Sequence, residues 1–163
     1  MIARNIPYFL ANLSRTLWVG GTWALGYLAV PVLFKTLPDR QLAGLLAGQM
    51  FTWMAYVGIG CAIYLLAYQI HQFGRLVWKQ KSFLLIVSML ILLLVGQFAI
   101  QPIMVDLKAQ ALPLDVMQSA LASQFKALHG VSSILYLVQS LLGVVLVINP
   151  PRVETARTLR VSA

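Results

Sequence analysis

The chain has 163 residues, 60% of them hydrophobic and 10% charged, with a formal net charge of +8 and a mean hydropathy of +0.83. A soluble domain carries about 25% charged and about 45–50% apolar residues, and a disordered chain needs low hydrophobicity; this composition fits neither. One cysteine excludes an internal disulfide scaffold, and the hydropathy argues against the nucleic-acid partner that 12 basic residues against 4 acidic ones would otherwise suggest.

Four apolar segments account for the composition. They are Thr16–Phe34, Met50–Ile70, Phe83–Val105 and Gly130–Ile148, of 19, 21, 23 and 19 residues, and none contains Asp, Glu, Lys or Arg. At about 1.5 Å per residue, 20 helical residues cross the ~30 Å hydrocarbon core of a bilayer. The runs are continuously apolar and lack the period-2 alternation of a barrel strand. The expected fold is therefore all-α, an integral membrane four-helix bundle with helices over about 6–35, 39–72, 82–106 and 114–148, followed by a basic tail at 150–163.

The first segment reads as a retained helix. Its apolar run exceeds the 7–15 residues of a signal-peptide core, and Gly26-Tyr27-Leu28-Ala29-Val30-Pro31 is a poor cleavage site. Residues 6–14 are expected to form interfacial first turns, with Arg15 snorkelling back to the headgroups.

Orientation follows from the loops. One side collects Arg4, Arg15, Arg75, Lys79, Lys81, Arg152, Arg157 and Arg160 against Glu154, a net +7. The other holds Lys35, Arg40, Lys108 and Lys126 against Asp39, Asp106 and Asp115, a net +1. Positive loops stay cytoplasmic, which puts both termini and the 71–82 loop inside. Trp18, Tyr68 and Trp78 are then expected at the inner interface and Trp53 at the outer one.

The two outer connections resemble each other. The first runs Pro31-Val32-Leu33-Phe34-Lys35, Leu37-Pro38 and Leu46-Ala47-Gly48-Gln49; the second runs Pro102-Ile103-Met104-Val105-Asp106, Leu112-Pro113 and Leu121-Ala122-Ser123-Gln124. From Leu-Pro onward the offset is 75 positions, whereas the earlier prolines differ by 71. An internal repeat of two parallel hairpins and a chance match of short apolar strings both fit this pattern. Pro38 and Pro113 suit helix starts, where a missing N–H costs nothing, so both returning helices are expected to begin outside the bilayer as a helical collar. Gly20, Gly21, Gly26, Gly44, Gly48, Gly58 and Gly60 are read as packing positions in preference to a dimerisation motif.

Polar residues within spans are costly and mark candidate sites. Gln97 lies 8 residues from the outer end of the third segment and Gln139 lies 9 from that of the fourth, with Tyr27 and Tyr56 at similar depth and Tyr136 and Gln101 slightly shallower. These residues form either a ligand cavity or a layer of interhelical hydrogen bonds. Met50, Met54 and Met104, with His129 at the outer mouth of the fourth helix, offer soft donors for Cu(I), although methionine is also a common core filler. His71 and His129 belong to opposite faces, so they cannot share one haem iron in a monomer. Cys61 is alone in an apolar span, where a thiol is inert. No Ser-His-Asp set, carboxylate pair, CxxC, P-loop or GxGxxG occurs, and no cofactor is called for.

Gly20-Gly21, Pro31-Val32-Leu33-Phe34, the Pro102 end of the third segment and Phe125-Lys126-Ala127-Leu128-His129-Gly130-Val131-Ser132 together resemble a family of small bacterial membrane proteins with a domain of unknown function. The chain is similar to the transmembrane protein 205-like group and more distantly to copper-resistance D-type membrane domains. The resemblance covers most of residues 10–148 and implies four helices and a bacterial inner membrane, without an activity. The expected role is a non-enzymatic accessory, assembly or scaffold subunit, its partners being membrane lipids and a membrane protein or second copy. The alternative is a small-ligand or copper-handling protein with its site at the outer face.

Overall fold

The computed structural model describes residues 6–149. The basic tail, Arg4 and Glu154 lie outside the described residues. Four helices are long and apolar enough to cross a membrane: α1 (Ile6–Thr36), α2 (Arg40–Lys79), α3 (Lys81–Ala111) and α4 (Ala122–Ile148). No strand occurs among the described residues. Consecutive helices pack as neighbours and α4 closes back on α1, giving an up-down-up-down ring. One end of the bundle holds the start of α1, the α2–α3 junction and the end of α4; it is the termini end below, and the opposite one is the far end.

The core draws on every helix. Trp18 of α1, Leu65 of α2, Ile86 and Met89 of α3 and Leu146 of α4 are all buried to within 2% of full coverage. Small residues let the backbones approach. A Cβ on Gly58 would lie 2.7 Å from both Trp18 Nε1 and Leu93 Cδ1, and one on Gly143 would lie 3.1 Å from Val19 Cγ1. Gly44 and Gly48 face their own bundle: the nearest atoms to a Cβ there belong to Lys108 and Phe34, and to Gln101, respectively.

α1 and α3 share a local distortion. Each contains a π-helical turn, over Leu25–Ala29 and Val95–Ile100, directly before Val30-Pro31 and Gln101-Pro102. A proline in mid-helix clashes with the carbonyl four residues back and donates no bond. The wider turn relieves that crowding: Val30 N donates to Leu25 O and Gln101 N to Gly96 O, each a five-residue step. The two steps are 71 positions apart, as are the prolines.

The connections differ. At the α1–α2 turn, the Asp39 carboxylate accepts from Gln41 N and Leu42 N at 2.8 and 3.1 Å and caps a long helix. Pro38 precedes that cap and is not itself helical. At the second turn, Pro113 does not start a helix and α4 begins only at Ala122. Asp115 accepts from Met117 N at 2.7 Å, which caps a single 3-10 turn, Val116–Gln118. The collar comes instead from α3, which continues to Ala111 and packs Leu107 and Ala111 with Val116 against Leu121, Phe125 and Leu128. At the other end, Gly74 (φ 53°, ψ −130°) stops the α-helical part of α2 in a conformation closed to side-chain-bearing residues.

Trp18 and Tyr68 are buried core residues and not interfacial anchors, whereas Trp78 and Trp53 are exposed. Helix packing decides the difference: Trp18 fills the notch that Gly58 leaves on α2. Gly58→Ala should therefore destabilise the bundle by about 1–3 kcal/mol through overpacking. Gly60→Ala, where a Cβ meets nothing within 4 Å, should be neutral or slightly stabilising; thermal unfolding in detergent compares the two.

Candidate functional site

Polar side chains gather at two levels. The level toward the far end centres on Tyr136 of α4, whose hydroxyl donates to the carbonyl of Thr22 on α1. Its ring occupies the space left by Gly26, where a Cβ would collide with it, and contacts Phe51 of α2 edge-on at 5.1 Å. Tyr136 thereby ties three helices beside the π turn of α1. Around it, Trp23 Nε1 donates to Ser140 O at 3.2 Å, Thr22 Oγ1 donates to Trp18 O at 2.8 Å and Ser140 Oγ to Tyr136 O at 2.8 Å. Hydroxyls within apolar helices meet their needs in this way, by bonding the carbonyl one turn back.

Of the expected layer, Gln139 is buried and neither its Nε2 nor its Oε1 has a partner. Gln97 is half-buried within the α3 π turn. Tyr27 is half exposed, its ring 4.9 Å from that of Trp23 and 6.3 Å from that of Tyr136. Tyr56 points outward, 50% exposed, and meets Trp53 edge-on with ring centroids 6.3 Å apart. Sequence position gave the depth of these residues without their azimuth. Thr22, Trp23 and Ser140 were not foreseen as members, because their polar groups are small or ride on large apolar bodies. A shallow apolar groove of about 300 Å³, lined by Val19, Gly20, Trp23, Val144, Val147 and Ile148, runs between α1 and α4.

The soft donors are dispersed over different surroundings. Met54 packs into the core against Gly21, Met104 is buried, Met50 is exposed, and the exposed His129 ring stacks on Phe125 with centroids 6.0 Å apart. Lys108 also lies over the Phe125 ring, its Nζ 5.5 Å from the centroid and 3.5 Å from Gly44 O. Among the described residues no group of three or more His, Cys, Asp or Glu converges on a metal position.

A family model, a domain of unknown function (DUF4149), matches residues 13–113. The chain belongs to the DUF4149 family. No curated protein and no solved structure matches it. The matched stretch spans both π turns and both prolines, whereas α4, which carries Tyr136 and Gln139, lies beyond it.

The second level of this DUF4149 bundle lies toward the termini end; Arg15, Tyr64, Gln69 and Ser82 fall inside the match, and Asn12 and Pro7 just before it. Instead of snorkelling outward along its helix as expected, Arg15 is 6% exposed, turned into the bundle, and its Nη1 donates to Asn12 Oδ1 at 2.9 Å. A helical side chain leans toward the N-terminus of its own helix, and here that direction leads alongside α2 instead of out to lipid. Gln69 of α2 is fully buried, its Oε1 accepting from Ser82 Oγ at 3.1 Å across the α2–α3 junction. Tyr64 Oη donates to Pro7 O at 3.1 Å and fastens the start of α1 to α2. Gln69 escaped sequence reasoning because it stands at the edge of its span, where solvation is the default expectation.

Two substitutions separate structural from unsatisfied polarity at the far level. Tyr136→Phe keeps the ring and loses one interhelical bond, a cost of about 0.6 kcal/mol on the average for membrane proteins. Gln139→Leu should raise stability, by up to about 1–3 kcal/mol, because it removes a buried amide with no partner. Unfolding midpoints of the two variants in one detergent check both signs.

Proposed function

We propose that this DUF4149 protein is a non-enzymatic accessory or assembly subunit of the bacterial inner membrane, oriented with its termini end in the cytoplasm. The charge asymmetry supports the orientation, since the 71–82 junction carries Arg75, Lys79 and Lys81 without an acid while Asp39, Asp106 and Asp115 mark the far end. The resemblance to the transmembrane protein 205-like group supports the bacterial membrane setting.

The observation that carries the subunit reading is the outward face of α2. Trp53, Tyr56, Gly60, Ile63, Ala67 and Ile70 are all exposed and succeed one another at alternating steps of three and four residues. That spacing is the seam of a left-handed helix pair. Gly60 and Ala67 stand one heptad apart between larger residues, and small residues at such positions let a second membrane helix approach closely. The seam is the most regularly shaped outward feature of the bundle. Purification in a mild detergent should therefore yield a complex with a membrane partner or a second copy. Gly60→Leu with Ala67→Leu should dissociate it, whereas Val95→Leu on α3 should leave it intact. A solitary monomer under those conditions contradicts the reading.

The second reading, a small-ligand or copper site in the far half, is favoured by Gln139, whose amide is buried and free in both its donor and its acceptor. The copper form draws on the resemblance to copper-resistance D-type domains and on Met50, Met54, Met104 and His129. Metal analysis of the purified protein decides it. Copper above background, reduced in His129→Ala and Met54→Ala, is the expected result on this reading, and background copper in every sample removes it.

A further inference from the structure

Among the described residues, the termini-end level holds a positive charge without a counter-ion. Arg15 is 94% buried, within a helix that crosses the membrane, and a guanidinium has five donors and no acceptor. One nitrogen is bonded to Asn12; Nε is buried and has no acceptor. Tyr8 stands two helical turns before it on the same face of α1. The acids of the described chain are Asp39, Asp106 and Asp115, all in the far-end turns and collar.

A second donor is left over on the adjoining helix. Gln69 uses its Oε1 on Ser82, while its Nε2 is fully buried and unpartnered. The guanidinium can only donate, and the Gln69 amide can present a donor because the Ser82 hydroxyl serves either of its ends, so whatever completes this level is an acceptor, and the guanidinium requires that it be negative. The fork of an arginine matches the paired oxygens of a phosphate better than a point charge would.

Depth selects the source of that phosphate. Ser82 is the second residue of α3, immediately after the basic junction, so the Gln69–Ser82 pair marks the level at which the chain re-enters the bilayer. Phospholipid phosphates lie at that level. Tyr8, exposed on the same face of α1 as Arg15, gives an amphipathic flank to a ligand that has both a headgroup and acyl chains.

We propose that Arg15 and Gln69 form a phosphate site for the headgroup of an anionic phospholipid, entered past Tyr8 at the termini end of the bundle. The site is independent of the α2 seam and of the far-level polar cluster.

Delipidated full-length protein in a neutral detergent tests this by thermal unfolding and native mass spectrometry. Added phosphatidylglycerol should raise the midpoint by several degrees and remain bound in the gas phase, whereas the same content of phosphatidylcholine should do neither. Arg15→Gln should abolish the shift, Arg15→Lys should reduce it, and Arg75→Gln, on the exposed junction, should leave it. Should Arg15→Gln fail to fold, Gln69→Leu serves in its place, with phosphatidylglycerol bound about tenfold more weakly or worse for the loss of one charge-assisted donor. Equal shifts with the two lipids, or an undiminished shift in both Arg15→Lys and Gln69→Leu, overturn the proposal. Inorganic phosphate that reproduces the full shift at the same concentration overturns the lipid assignment.

Discussion

Hydrocarbon offers no hydrogen-bond partner, so every backbone donor and acceptor that crosses it must be satisfied within the chain. Helices follow from that constraint, and so does the treatment of their interruptions. Pro31 and Pro102 each remove a donor and crowd a carbonyl inside a membrane helix. The π turns at Leu25–Ala29 and Val95–Ile100 recover the pairing by stepping five residues back. π turns tend to accompany function because they shift the facing of every residue beyond them. Here they widen α1 where the Tyr136 ring enters against Gly26 and α3 where Gln97 is half-buried. The polar cluster of the far half is thus built next to the backbone defects, which position it.

The same turns bear on the likeness between the two hairpins. Short apolar strings match easily by chance, but a five-residue hydrogen-bond step at the same distance before each proline is a backbone feature that no such match requires. It also locates where the halves diverge. Asp39 caps a long helix directly, whereas Asp115, just after Pro113, caps a single 3-10 turn. In the second hairpin the extension of α3, through Leu107 and Ala111, packs instead against the start of α4 at Phe125 and Leu128. Two hairpins with one plan can therefore share their membrane portions and differ in how they close at the far end.

The four helices were readable because length and hydropathy are one-dimensional signals. So was the depth of Gln139, since depth along a helix is set by residue count. Azimuth was not. Tyr56 and Gln139 stand at comparable depth, yet one faces outward and the other inward, and only the packing of neighbouring helices decides this. Trp18 reads as an interface anchor until Gly58 is seen to leave room for its indole. The start of α4 was misplaced by eight residues because Pro113 looks like Pro38, and the difference rests on which later side chain caps which turn. Arg15 shows the same limit, because a long cation near a helix start reaches lipid or core depending on what stands beside it.

The charge asymmetry has a consequence beyond orientation. Acids at the far end are spent locally: Asp39 and Asp115 on backbone amides, Asp106 on Gln110 at 2.7 Å. The cations at the termini end have, among the described residues, no acid on their own side. For exposed Arg75, Lys79 and Lys81 that is unimportant, because water and headgroups screen them. For Arg15, nearly enclosed by protein, screening is unavailable and a discrete acceptor must take its place. A bundle that selects its orientation by excluding acids from one face gives up the means to neutralise a buried cation there. The negative charge must then come from outside the described chain, and the membrane surface is its nearest reservoir.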